Sequence, residues 1–163
     1  KASASDQVEQ IACPSSGSCQ SSSCDGGRAG GQRCKSDWQC SLDEPCDTVN
    51  FVRDNQDGSI SLDSPNAAQC VLQALRDGKQ GTVQWYISSN SNPGQYFTSG
   101  TVHVRPNRVA LESVHTGADL LQNKKERGPT VLQDPSYFED CLLQTAPEDI
   151  YNCLENAVHD CTP

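Results

Sequence analysis

The sequence predicts an α+β domain: one helix packed on an antiparallel β-meander, a helical hairpin at the C-terminus and a disulfide-rich module at the N-terminus. Three observations carry this. Ser64-Pro65 opens a helix, because serine is a favoured N-cap and proline at the first helical position gives up only an N–H the helix leaves unpaired. Ala68, Val71, Leu72 and Leu75 then recur at helical spacing, and Gly78 supplies the left-handed residue that stops the run. Val83, Trp85 and Ile87 alternate with Gln84, Tyr86 and Ser88, the two-residue period of a strand buried on one face. Cysteines, finally, crowd the front of the chain, at Cys13, Cys19, Cys24, Cys34, Cys40 and Cys46.

Composition sets the scale of the core. Of 163 residues 34% are hydrophobic and 6% aromatic, with 12 glycines and 9 prolines, so turns and loops take much of the length and the core is modest. Ten cysteines, an even count without paired Cys-x-x-Cys motifs, favour disulfides over zinc and an extracellular, periplasmic or cell-surface location. The net charge of −9 repels phosphate backbones and anionic lipid heads, which argues against nucleic acid as a partner. No apolar run approaches the roughly 18 residues that read as a membrane span. A start at Lys1 and the lack of methionine imply a removed leader or a cut chain, and leave lipid anchoring upstream of Lys1 open.

Residues 1–12 are Ser/Ala-rich and read as a linker. Residues 13–47 form the cystine-rich module: its Ser and Gly cannot bury enough apolar surface to offset the backbone entropy of ordering, so three internal disulfides are expected to do so. Its second half repeats every six residues, Cys34-x2-Asp37-x2-Cys40-x2-Asp43-x2-Cys46, with each aspartate placed to close a tight turn. This repeat resembles the small Cys-x-x-Asp-x-x-Cys repeats of secreted or lipid-anchored bacterial proteins of uncharacterised function, a likeness that implies a cell-surface or envelope location.

Residues 48–163 form the α+β domain. Val49, Phe51 and Val52 before an Asp57-Gly58 bend, with Ile60 and Leu62 after it, predict a hairpin over 48–62. A second meander strand is expected over roughly 95–105, with Trp85 and Phe97 in the core. Pro106-Asn107 makes a two-residue turn that sets His103 opposite Ala110, and Val109, Leu111 and Val114 lie on the last strand. The charged stretch 116–129 reads as an exposed loop. Asp134-Pro135 and Ala146-Pro147 each open a short helix. Cys141 and Cys153 lie equally far from Pro147 on the two arms, which predicts a bridge between them. Elimination then pairs Cys70 with Cys161.

No catalytic, cofactor-binding or metal-binding residue is assigned. The bend around Gly58 is similar to a calcium loop, but its first and last ligand positions fall on Arg53 and Ser64, so a hairpin turn is the expectation. His103, His115 and His159 are read as separate, solvent-facing strand or terminal residues. His159-Asp160-Cys161 resembles the His-Asp pair of secreted phospholipases, without their calcium loop. The helix followed by meander strands is similar to the cystatin arrangement, with Gln95-Tyr96-Phe97-Thr98-Ser99 where the inhibitor's Gln-x-Val-x-Gly loop would lie. Tyr86 and Tyr96 are the candidate contact face, since exposed amphipathic rings serve as contact residues. The expected role is a non-catalytic protein-interaction or structural domain, with a protein or a second copy as partner. A small extracellular hydrolase or a protease inhibitor is the alternative.

Overall fold

The computed structural model describes residues 44–89, 96–118 and 121–160. The linker at 1–12, the cystine-rich segment up to residue 43, and Cys161 lie outside the described residues. Strands β1 (Val49–Arg53) and β2 (Ile60–Leu62) form an antiparallel hairpin with Phe51 opposite Leu62. In its bend, Asp54 Oδ1 accepts from the Gln56 N–H (2.7 Å) and Asp57 Oδ1 from the Ser59 N–H (2.8 Å), while Gly58 takes a φ of 77°. Both carboxylates are thus committed to turning the chain.

Helix α1 (Pro65–Arg76) buries Ala67, Ala68, Val71, Leu72, Ala74 and Leu75. Ser64 does not cap it. The Ser64 hydroxyl accepts instead from the Asn50 N–H at 2.6 Å, tying the helix start to β1. At the other end Gly78 (φ 59°) donates to Leu75 O and Lys79 to Ala74 O, at 3.1 and 2.8 Å, the two bonds of a Schellman stop. The crossover through α1 lets β3 (Gly81–Ser89) return parallel to β1, with Val49 opposite Trp85.

From β3 onward neighbours run antiparallel in chain order: β4 (Phe97–Val104), β5 (Val109–Ala118), β6 (Leu121–Leu132) and β7 (Val158–Asp160). The described residues make a seven-stranded sheet of order β2-β1-β3-β4-β5-β6-β7. Three expectations change here. The turn after β4 holds three residues, Pro106–Arg108, with Asn107 and Arg108 both left-handed (φ 60° and 59°), so His103 faces Leu111 and not Ala110. The expected loop at 116–129 is the end of β5 and most of β6, which pairs along β5 from Leu121 to Val131. His159 and Asp160, read as terminal, lie on β7, paired against Val131 and Thr130.

Register and alternation give the sheet an inner face, covered by the helices, and an outer one. Val49, Phe51, Val83, Trp85, Ile87, Val102 and Val104 share the inner face with α1, and each such side chain contributes about 1.5–3 kcal/mol when fully buried. The Trp85 indole lies across β4 on Gly100: a Cβ there would stand 2.1 Å from the ring. Phe97 is not its core partner. One register step places Phe97 on the outer face, stacked on Tyr86 at 5.7 Å and over Gly117, whose missing side chain makes room for the ring.

Helices α2 (Pro135–Leu142) and α3 (Pro147–Glu155) form the hairpin, joined by the Cys141–Cys153 disulfide and by the Tyr137 hydroxyl donating to Cys153 O at 3.2 Å. Tyr151 meets Phe51 edge-on at 5.3 Å, so α3 spans toward β1. Cys70 is bonded to Cys46 and not to Cys161, with Cα atoms 5.8 Å apart. The half-buried Cys46 packs against the core cluster immediately before β1, which puts it within reach of the helix. Cys46 is therefore not available for a third disulfide inside residues 13–46.

Candidate functional site

Beyond β4 the inner face turns polar. Register sets Val102, Glu112 and Arg127 side by side across β4, β5 and β6, and next to them Trp85, Gly100, Val114 and Lys125 across four strands. Residues Glu155 and Asn156 at the C-terminal end of α3 close over this band, and the result is a pocket of about 280 Å³ lined by Trp85, Glu112, Val114, Lys125, Arg127, Glu155 and Asn156. Because Gly100 lacks a side chain, the indole of Trp85 reaches over β4 to form part of the wall.

Glu112 is the unusual member. It is 7% exposed. Its one ion pair is with Arg127, Nη1 to Oε2 at 3.5 Å, while the Nε of the same guanidinium donates to Asp160 at 2.7 Å. Burial pushes the Glu112 carboxyl above the ordinary carboxylate range, against the pull of Arg127 and Lys125. Across the pocket Glu155 accepts a hydrogen bond from the Tyr151 hydroxyl, and burial pushes that phenol up with Glu155 adding to the effect. The bond from Arg127 holds Asp160 below its ordinary value.

Where the strand ends gather, a second cleft of about 370 Å³ is lined by Arg53, Asn55, Ile87, Tyr96, Phe97, Thr98, Asn123 and Tyr151, among others. Asn55 donates to the Ser89 hydroxyl and helps fix the rim. Tyr96 stands at this rim, 64% exposed. Tyr86, placed with it in the candidate contact face, is half-buried and stacked on Phe97 beside the cleft.

The structure separates the other candidates. His103 is not solvent-facing: it is 2% exposed on the outer face, its Nδ1 2.9 Å from the Thr82 hydroxyl. His115 lies farther along β5 and His159 on the β7 edge. Ser113 and His115 share one face of β5, and the Ser113 hydroxyl is buried without a hydrogen-bond partner. Among the described residues no three His, Cys, Asp or Glu side chains converge as a metal ion requires. Sequence reasoning missed Glu112 and Glu155. The signal for Glu112 was a single acid at two-residue spacing from Ala110 and Val114, a charge on the face of a strand that otherwise reads apolar. Comparison of the chain with protein-family models, curated proteins and solved structures finds no match.

Proposed function

We propose that the chain is a disulfide-stabilised, non-catalytic protein-interaction domain, secreted or held on the cell envelope, with a protein or a second copy of itself as partner. The observation that carries this reading is Tyr96. It is one of two large, strongly exposed hydrophobic side chains among the described residues, and the one that borders a cleft whose rim is fixed by packed and hydrogen-bonded neighbours. A rigid aromatic ring beside Arg53 offers apolar area and a cation to a partner at little conformational cost. Two disulfides among the described residues fit an oxidising environment, and no described helix is long and apolar enough to cross a membrane.

Light scattering on the full, unreduced chain across a concentration series, with Tyr96→Ser beside it, tests the reading. The expected result is a dimer that forms with concentration and that Tyr96→Ser returns to monomer. A wild-type monomer throughout removes the second copy as partner. A second reading, a small hydrolase, is favoured by Glu112 and Glu155 standing on two walls of one pocket with Glu112 raised by burial, the environment of a general acid. Turnover of an ester, peptide or glycoside that Glu112→Gln abolishes would replace interaction with hydrolysis.

A further inference from the structure

A buried carboxylate is ordinarily satisfied by several donors, and among the described residues the Glu112 carboxylate has one ion pair, with Arg127. Its only charged partner stands at 3.5 Å, longer than the 2.7–2.9 Å or so of a charge-assisted hydrogen bond, because Arg127 is drawn to Asp160. Acceptor capacity is therefore left facing a pocket of about 280 Å³. The opposite charge is left over as well. Lys125 lines the same pocket, in register with Val114, and forms no ion pair among the described residues. Beside them, Val114 and the Trp85 ring give the pocket an apolar surface.

Charge sorts the ligands such a pocket takes. A simple anion drawn to Lys125 meets Glu112 and Glu155, and a simple cation drawn to Glu112 meets Lys125 and Arg127. A molecule carrying both charges, oriented one way, satisfies both sides. Glu112 and Lys125 are diagonal neighbours on paired strands, roughly 7–8 Å apart at the backbone. From these positions both head groups reach one small molecule, an ammonium and a carboxylate on one carbon each taking a hydrogen bond of about 3 Å.

We propose that this pocket binds a small zwitterion of the α-amino-acid class, its ammonium on Glu112 and facing Glu155, its carboxylate on Lys125, and its apolar substituent against Trp85 and Val114. The ammonium supplies the donors that Glu112 lacks. It also favours the ionised carboxylate, offsetting the desolvation that burial imposes. The pocket is distinct from the Tyr96 rim, so the interaction reading and this one stand or fall separately.

Isothermal titration calorimetry on the full, unreduced chain at pH 7 tests it with four probes: leucine, leucinamide, isoamylamine and N-acetyl-leucine. Leucine is expected to bind, with at least tenfold weaker binding for each probe that lacks the carboxylate or the ammonium. Lys125→Met, an exposed strand position that leaves the core untouched, is expected to make leucine and isoamylamine equal. Glu112→Gln is expected to weaken leucine at least tenfold without lowering the thermal midpoint of the protein at pH 7. Absence of heat with all four probes at millimolar concentration overturns the proposal. So does N-acetyl-leucine binding as well as leucine, or leucine binding that Lys125→Met leaves unchanged.

Discussion

Arg108 holds parts of the described domain together without being apolar. It sits in the left-handed region at φ 59°, in the turn between β4 and β5, and its guanidinium donates to Arg76 O (2.8 Å), Leu75 O (3.3 Å) and Gln133 O (2.6 Å). It thus caps the C-terminal carbonyls of α1 and ties them to the segment leading into α2. A hydrogen bond involving a charged group contributes about 1.5–3 kcal/mol. Arg108 is only half-buried and the three bonds share one side chain, so the loss on Arg108→Ala falls below their sum, at about 2–4 kcal/mol. Arg108→Gly loses the same bonds but removes the cost of about 1–2 kcal/mol that a β-carbon incurs in the left-handed region, part of which the freer unfolded chain takes back. The glycine variant therefore lies between wild type and the alanine variant, about 1 kcal/mol above the latter. Urea unfolding of the unreduced proteins, read by far-UV circular dichroism with the slope unchanged, measures both differences. An alanine variant within 0.5 kcal/mol of wild type would refute the capping role, and a glycine variant as unstable as alanine would refute the backbone argument.

Gly100→Ala drives a methyl into the Trp85 ring, with an expected loss of about 1–3 kcal/mol that Trp85→Leu in the same chain partly restores; a double-mutant cycle with no coupling would show that the ring does not occupy that space. Cys46→Ser with Cys70→Ser opens a loop of 24 residues' separation, for which loop-closure entropy gives about 3.5 kcal/mol, to be read from the shift in urea midpoint. Glu112 and Asp160 act oppositely on stability against pH. The Glu112 carboxyl is raised in the fold by burial, so its share of stability declines as pH climbs from the ordinary glutamate value of 4.5 through its higher folded pKa, and Glu112→Gln flattens that decline. Asp160 is depressed by the Arg127 bond, so its share is complete above its ordinary value of 3.8 and disappears as pH falls through its lower folded pKa. Thermal midpoints of wild type, Glu112→Gln and Asp160→Asn from pH 3 to about 8 separate the two, and parallel curves would contradict both assignments.

The parts of this fold legible in the sequence are those in which one period ran undisturbed. The stripe from Ala68 to Leu75, the alternation from Val83 to Ile87 and the symmetric placing of Cys141 and Cys153 about Pro147 each answer to a local rule, and the structure has the helix, the strand and the bridge. Ser64 shows where local rules stop. Its hydroxyl has the chemistry of a cap, but the Asn50 N–H of a strand brought alongside takes it first. Cys70 failed for a similar reason, since elimination within residues 48–163 ignored Cys46 just before β1.

Strand β6 was hidden by its charges. A run such as Asn123-Lys124-Lys125-Glu126-Arg127 has no apolar alternation, and composition alone reads it as solvent-exposed chain. Alternation is present nonetheless, in the ion pairing: Lys124 pairs with Glu126 on the outer face, while Lys125 and Arg127 point inward toward Val114 and Glu112. A shift of register adds to the concealment, since β6 takes three steps from Arg127 to Thr130 against two on β5 from Glu112 to Ala110, and Val109, Leu111 and Val114 read as one apolar set although simple alternation puts Val114 on the opposite face. What makes the candidate site is therefore the same thing that made it unreadable: a charged strand laid where an apolar one would have completed the core. Had β6 carried valines at 125 and 127, the period would have been plain, the inner face would have closed over Trp85, and Glu112 would have faced no cation at all.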